Sequence, residues 1–442
     1  SSSRSSSRSR TVAQFTTDFT ADCVEYCPLS GHQDLFVCAT YQLDEDTQER
    51  KGRIYLGSHP SNPLADASNS SSSSLSASSG IHIEQTLDMS GVFDVKWNDF
   101  GWIACALADS STVVHKLHTT SPATSPATSS TSRRRAQLSE HAIYTLRSEL
   151  AAESCALSVD WTTRPSSAPR LSRTERCSSF SSSSSSSVPE SSKSCCGSSS
   201  ESCEGSSTMH APLESESHSC SADQLAVSYA NGSLAVFDLG AAERTASLSE
   251  WTAHDFETWI VAYDYWTPAV VYSGSDDTFF RGWDLRCGPG RTFSKRHDMG
   301  ITTIHCHPHN SHLLAVGSYD EQVRIWDKRN MREAVATVGT GGGVWRLKWH
   351  PQDPSLLLSA SMRGGFHVLR FDGVSSDADE AKENTHLQGD NPDELLRILH
   401  SYGSPHDVQK LAYGVDWCAA SGSHLIGCCS FYDRLFSLWQ YV

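Results

Sequence analysis

A propeller built wholly from β-strands is what this sequence predicts, on three observations. The first is a repeat: residues 254–284 and 297–327 align at a fixed offset of 43 residues, setting His254 on His297, Asp277 on Asp320, Trp283 on Trp326 and Asp284 on Asp327. That period, with an Asp near its middle and a Trp-Asp pair at its end, marks a four-stranded WD-repeat blade. One blade cannot bury both of its faces, so several must stand around a common axis. The second is an inner-strand pattern that recurs as Val24-Glu25-Tyr26, Val95-Lys96-Trp97, Val159-Asp160-Trp161, Tyr263-Asp264-Tyr265, Ile304-His305-Cys306, Leu347-Lys348-Trp349 and Val415-Asp416-Trp417. The third is length: setting aside the serine-rich segments leaves roughly 300 residues, what seven blades of this period need.

Each blade follows its inner strand with further strands, within 36–55, 103–117, 224–239, 270–284, 313–327, 356–371 and 425–439. Residues 11–442 are thus read as a single all-β, seven-bladed WD-repeat β-propeller behind a disordered N-terminus, 1–10. Thr11 to Thr20, apolar at Val12, Phe15 and Phe19, is expected to supply the outer strand of the last blade and close the ring. Long disordered insertions are expected at about 61–80, 119–140, 164–221 and 373–405; the third holds seven consecutive serines, Ser181 to Ser187. Such stretches bury too little apolar surface to offset the entropy of ordering. A propeller tolerates them between strands because a long surface loop adds little closure entropy.

The formal charge of −16 argues against a nucleic-acid-binding face, which would be basic. Arg133-Arg134-Arg135 is a short basic run in a serine-rich loop, read as solvated. No apolar stretch approaches the roughly 18–20 residues a bilayer span needs, and the chain does not open on a signal-like segment. Several of the 15 cysteines (Cys38, Cys105, Cys306, Cys428, Cys429) sit inside apolar strand patterns, where Cys acts as a small hydrophobe. The expectation is a soluble, cytoplasmic monomer, its thiols reduced. Cys195, Cys196, Cys203 and Cys220, with His210 and His218, fit no zinc spacing, and no cofactor or metal is expected. Nucleophile-elbow, zinc-protease, P-loop and dinucleotide signatures are absent.

Among the polar residues, His254, Ser273, Asp277 and Trp283 have the spacing of the hydrogen-bonded tetrad of such blades and are read as structural. Blade five keeps His297, Asp320 and Trp326 but has Val316 at the serine position, which frees His297 of one partner. Blade six discards the tetrad for Thr340, Ser359, Arg363 and Leu369, and its loop reads Gly339-Thr340-Gly341-Gly342-Gly343. Consecutive glycines can present backbone N–H groups to an oxyanion, or simply form a tight turn. The inner-strand residues Glu25, Lys96, Asp160, Asp264, His305, Lys348 and Asp416 should ring the central channel, as a polar funnel or as residues paired with their neighbours.

The strings WTAHDFETWIVAYDYW (251–266), VVYSGSDDTFFRGWDLR (270–286), SKRHDMGI (294–301), AVGSYDEQVRIWDKRNM (315–331), GGVWRLKWHP (342–351), YGVDW (413–417) and CSFYDRLFSLW (429–439) go beyond a generic blade. With TADCVEYCPL and CATYQL in blade one, they closely resemble the WD-repeat diphthine methylesterases of diphthamide biosynthesis, formerly called diphthine methyltransferases. The resemblance covers about 200 residues, in blade one and blades four to seven. It implies a carboxylic ester hydrolase that removes the methyl ester of methylated diphthine on elongation factor 2, giving diphthine and methanol.

No catalytic residues carry over, so the site rests on chemical need. Ester hydrolysis wants a base of near-neutral pKa and oxyanion donors. The trimethylammonium group of the implied substrate favours aromatic faces and carboxylates. His297, ahead of His254, is the expected base; Arg346 or the backbone of Gly341, Gly342 and Gly343 would face the oxyanion. Trp259, Trp345, Tyr319 and Tyr432, with the blade-turn Asp320 and Asp433, are the substrate-binding candidates. The rival reading is a non-catalytic adaptor that docks elongation factor 2 or a ubiquitin-ligase complex, the latter through W-D-x-R at 283–286 and 326–329.

Overall fold

The computed structural model describes residues 9–59, 80–120, 135–162, 224–239, 247–373, 395–403, 410–418 and 424–441. They form seven antiparallel sheets, each opening on an inner strand: Thr20–Tyr26, Val92–Trp97, Ala156–Trp161, Ile260–Tyr263, Ile301–Cys306, Arg346–Trp349 and Ala412–Trp417. The chain is a seven-bladed β-propeller. Ser9–Thr16 pairs with Leu435–Tyr441, so the first strand of the chain is the outer strand of the seventh blade. Apolar faces of adjacent blades close on one another in continuous clusters; one joins Cys23, Val37 and Leu56 of blade one to Val95, Trp97 and Cys105 of blade two.

The boundaries of the irregular segments need correction. Ser9 and Arg10 belong to the closing strand, drawn in by their ladder to Tyr441 and Gln440. Arg135–Leu138 adds a fifth strand to blade two by pairing with residues 117–120, inside the stretch 119–140 expected to be disordered. Leu396–Tyr402, within 373–405, is the outer strand of blade six, its register held by Phe366–Phe371. The serine-rich 164–221 and its Cys and His residues lie outside the described residues. Cys38, Cys105, Cys306, Cys428 and Cys429 are all buried and free. No described helix is long and apolar enough to cross a membrane.

Neighbouring blades are clasped at the channel wall. The indole N–H of Trp161 donates to the carbonyl of Lys96, that of Trp349 to His305 and that of Trp417 to Lys348, each reaching one blade back. In the other direction, Asp160 accepts from the backbone N–H of Tyr263, His305 Nδ1 from Trp349 and Asp416 from Tyr26. Glu25 meanwhile bridges Lys96 and Lys348. The polar ring is therefore a set of paired groups binding blade to blade.

Blade four does not follow the register expected of it. Tyr263 pairs with Val271 as Cys306, 43 residues later, pairs with Leu314, which puts Ala262 and not Asp264 at the ring. Asp264 stands one residue beyond the strand and caps the turn, accepting from the N–H of Trp266 and Thr267 while also holding Lys328 and Tyr272. The same position one and two periods on is His307 and His350. Each accepts two backbone N–H groups at Nδ1, from His309 and Asn310 and from Gln352 and Asp353; Asn98 caps blade two in the same way.

An imidazole can accept at Nδ1 only while neutral. Burial brings both histidines from the ordinary 6.5 down to about 4. The unfolded chain takes up these protons near pH 6.5 and the folded one only near 4, so this stability is complete above 6.5 and is lost as the pH falls towards 4. The slope is at most about 1.4 kcal/mol per pH unit for His307, and less for the more solvent-screened His350. His307→Asn, which keeps a turn-capping acceptor, should flatten the fall in urea-unfolding free energy between pH 6.5 and 5; an unchanged slope would refute this account of the turn.

Candidate active site at the channel mouth

Five of the inner strands carry, near the end where they begin, an extra residue as a β-bulge at the same place in the blade: Asp22, Phe93, Leu157, Thr302 and Tyr413. Trp259 and Trp345 directly precede the other inner strands that open on this side. The result is a run of aromatic rings around the mouth. Trp259 lies 5.7 Å from Trp345 and 6.5 Å from Tyr319, centroid to centroid. Trp345 lies 6.2 Å from Tyr319 and 4.7 Å from Tyr413, and Tyr413 stacks on Phe431 at 4.7 Å. Phe431 meets Tyr41 at 5.2 Å, and Tyr41 meets Phe93 at 4.8 Å. These collar rings are half-buried, and Trp345 Nε1 has no partner among the described residues.

An ionisable cluster lies below the collar. Asp94, fully buried, takes Lys96 Nζ at 2.5 Å, Arg346 at 3.2 Å, Ser158 Oγ at 2.9 Å, the thiol of Cys23 at 3.4 Å and the N–H of Val159 at 3.3 Å. Burial opposes its charge, but Arg346 and Lys96 overcome that and hold the carboxyl below the usual carboxylate range. Asp22 has the same neighbours and the opposite fate. Neither of its oxygens has a hydrogen-bond partner among the described residues. Burial, aided by the Asp94 charge and countered by Arg346, pushes its carboxyl up to about 8. Two carboxyls with pKa values driven apart in one cluster are what acid–base chemistry requires.

The structure brings only some of the residues singled out from the sequence together. Trp259, Trp345, Tyr319 and Arg346 meet at the mouth, and Tyr432 joins at its rim, 58% exposed and 5.3 Å from Phe431. Asp433, beside it, keeps one buried oxygen without a partner among the described residues, whereas Asp320 is tied to Arg324 and the N–H of Gln322. His254 forms the full tetrad, with Nδ1 2.9 Å from Asp277, Nε2 2.7 Å from Ser273, and the Trp283 indole donating to the same serine at 2.8 Å.

His297, the expected base, is not at the mouth. It is sealed against Trp326 with Nδ1 3.2 Å from Arg324, and burial together with that guanidinium lowers its pKa to about 4. With Val316 in place of serine, His297 Nε2 and Trp326 Nε1 both lack a partner among the described residues, the two atoms a serine would have bridged. The imidazole is therefore held inside its own blade between Trp326 and Arg324, and its position is that of Thr340 one blade on. The glycine loop is packed closely at Gly342 and Gly343 and takes a left-handed backbone at Gly341. A Cβ on Gly342 would stand 2.3 Å from the carbonyl of Ser361, Gly341 has φ of 74°, and Gly343 abuts Tyr319. In both W-D-x-R strings the arginine folds back on its own aspartate, Arg286 on Asp284 and Arg329 on Asp327.

Sequence reasoning missed Asp22, Asp94, Tyr41, Phe93, Tyr413 and Phe431. A signal existed: counting four residues back from Tyr26, Trp97 and Trp417 lands on Asp22, Phe93 and Tyr413.

Fold and site together define a β-propeller with a channel mouth that is aromatic above and ionisable below. No family model matches the chain. It is 34% identical to the diphthine methyltransferase of Mus musculus over 430 residues, 92% of this chain and 69% of that protein. It is 31% identical to the diphthine methyltransferase of Homo sapiens over 91% of this chain and 73% of that protein. A diphthine methyltransferase homolog of Dictyostelium discoideum matches at 40% over 235 residues, half of this chain and 60% of that relative's length. The chain belongs to the diphthine methyltransferase family.

Proposed function

We propose that this chain acts in diphthamide biosynthesis as a carboxylic ester hydrolase, demethylating the methyl ester of methylated diphthine on elongation factor 2 to give diphthine and methanol. The relatives' names speak of diphthine and a methyl group; the direction of the reaction is our reading. The observation that carries it is the aromatic collar directly over paired and unpaired carboxyls and a buried guanidinium. Aromatic faces attract a quaternary ammonium, and desolvation strengthens that attraction. Hydrolysis asks for water, a base and a donor to the oxyanion, and the cluster beneath supplies the last two in Asp22 and Arg346. The acidic chain, at −16, also suits a cationic side chain as substrate. Its protein partner would be met in the cytoplasm by a single propeller.

The test is to incubate the purified chain with elongation factor 2 carrying methylated diphthine and measure methanol. Release in step with conversion of the residue is expected. Binding without methanol would instead make the chain an adaptor, and dependence on a methyl donor would make it a transferase.

A further inference from the structure

We infer that Asp22 takes the proton from the attacking water and passes it to the departing methoxide, an assignment that rests on the hydrolytic reading. Asp22 is the bulged residue between Ala21 and Cys23 of the first inner strand, 1% exposed, with both carboxyl oxygens unpartnered among the described residues. A carboxyl kept for structure alone would be hydrogen-bonded as Asp94 is, because an unpaired buried polar group lowers stability. The groups that act on it come from five blades: Asp94 and Lys96 of blade two, Arg346 of blade six, Tyr41 of its own blade, Tyr319 of blade five, and Tyr413 and Cys429 of blade seven. The three tyrosines belong to the collar, so the carboxyl lies within electrostatic reach of the rings below which an ester carried by a collar-bound ammonium would sit.

The step balances without a cofactor. Ionised Asp22 accepts one proton as the water oxygen bonds to the ester carbonyl carbon. The resulting oxyanion is met by Arg346. As the carbon–methoxide bond breaks, the proton passes from Asp22 to the leaving oxygen, giving methanol and the free acid, which then ionises.

A base must be ionised to act, so with the carboxyl raised to about 8, kcat/KM should climb about tenfold per pH unit below that value and level off above it. Asp22→Asn should lower kcat/KM by at least ~100-fold and remove the inflection, while Asp22→Glu restores a pH-dependent rate. Folding is monitored independently. The folded pKa lies above the ordinary 3.8, so the native chain loses stability as pH rises from there through about 8. The asparagine variant, neutral throughout, should match wild type in thermal unfolding at low pH and exceed it at high pH. If Asp22→Asn still releases methanol with the wild-type pH profile, the assignment falls and the hydrolytic reading survives. If wild type releases none at any pH, that reading falls and takes the assignment with it.

Discussion

Asp94→Ala should destabilise the propeller by about 3–5 kcal/mol in urea unfolding at neutral pH, the usual result of stripping one partner from a buried ion pair. The substitution leaves Lys96 and Arg346 beside each other without their fully ionised partner, and it removes the acceptor for Ser158 and for the Val159 N–H. Because those partners lie on blades two, three and six, the loss should also reduce cooperativity between blades. Asp94→Asn should recover only part of the stability, since the amide accepts from Ser158 but cannot neutralise two cations. A cost below about 1 kcal/mol, the range of exposed pairs, would show that Asp94 does not bind the channel together.

Trp345→Ala should act on recognition. Trp345 is the ring that touches Trp259, Tyr319 and Tyr413 at once, so removing it opens the collar at its centre. A desolvated cation–π contact is worth about 2 kcal/mol, so KM for methylated-diphthine elongation factor 2 should rise ~30-fold with kcat changed much less. Trp345→Phe should recover most of the affinity. An unchanged KM would place the ammonium elsewhere, and an equal fall in kcat alone would mean that the indole positions the reacting groups.

What the sequence made legible follows from how each signal is carried. The 43-residue period is written in His254, Asp277 and Trp283 and their counterparts, which pair within a blade, so both blade architecture and the complete tetrad of blade four could be read along the chain. Trp259 and Trp345 lie two periods apart and fall into phase for the same reason. Asp22, Phe93 and Tyr413 do not, because long insertions break the period before they can be aligned. The environment of Asp22 is set by Arg346, Asp94 and Tyr413, far off in sequence and joined to it only by closure of the ring. The preference for His297 rested on a missing serine, which is real; its consequence is a buried ring whose Nε2 has no partner among the described residues. A missing partner seen in one dimension cannot tell a buried side from an open one. Likewise Leu396–Tyr402 reads as loop because its partner Phe366–Phe371 precedes a long insertion that hides the pairing.

The central claim is that water attacks the acyl carbon of a protein-borne methyl ester at this channel mouth. Its most direct test is single-turnover demethylation in water enriched in heavy oxygen, followed by mass analysis of the modified histidine peptide and of the methanol. The account predicts a diphthine carboxylate carrying one heavy oxygen and methanol carrying none. Heavy oxygen in the methanol, or a peptide that gains a methyl group, would contradict it.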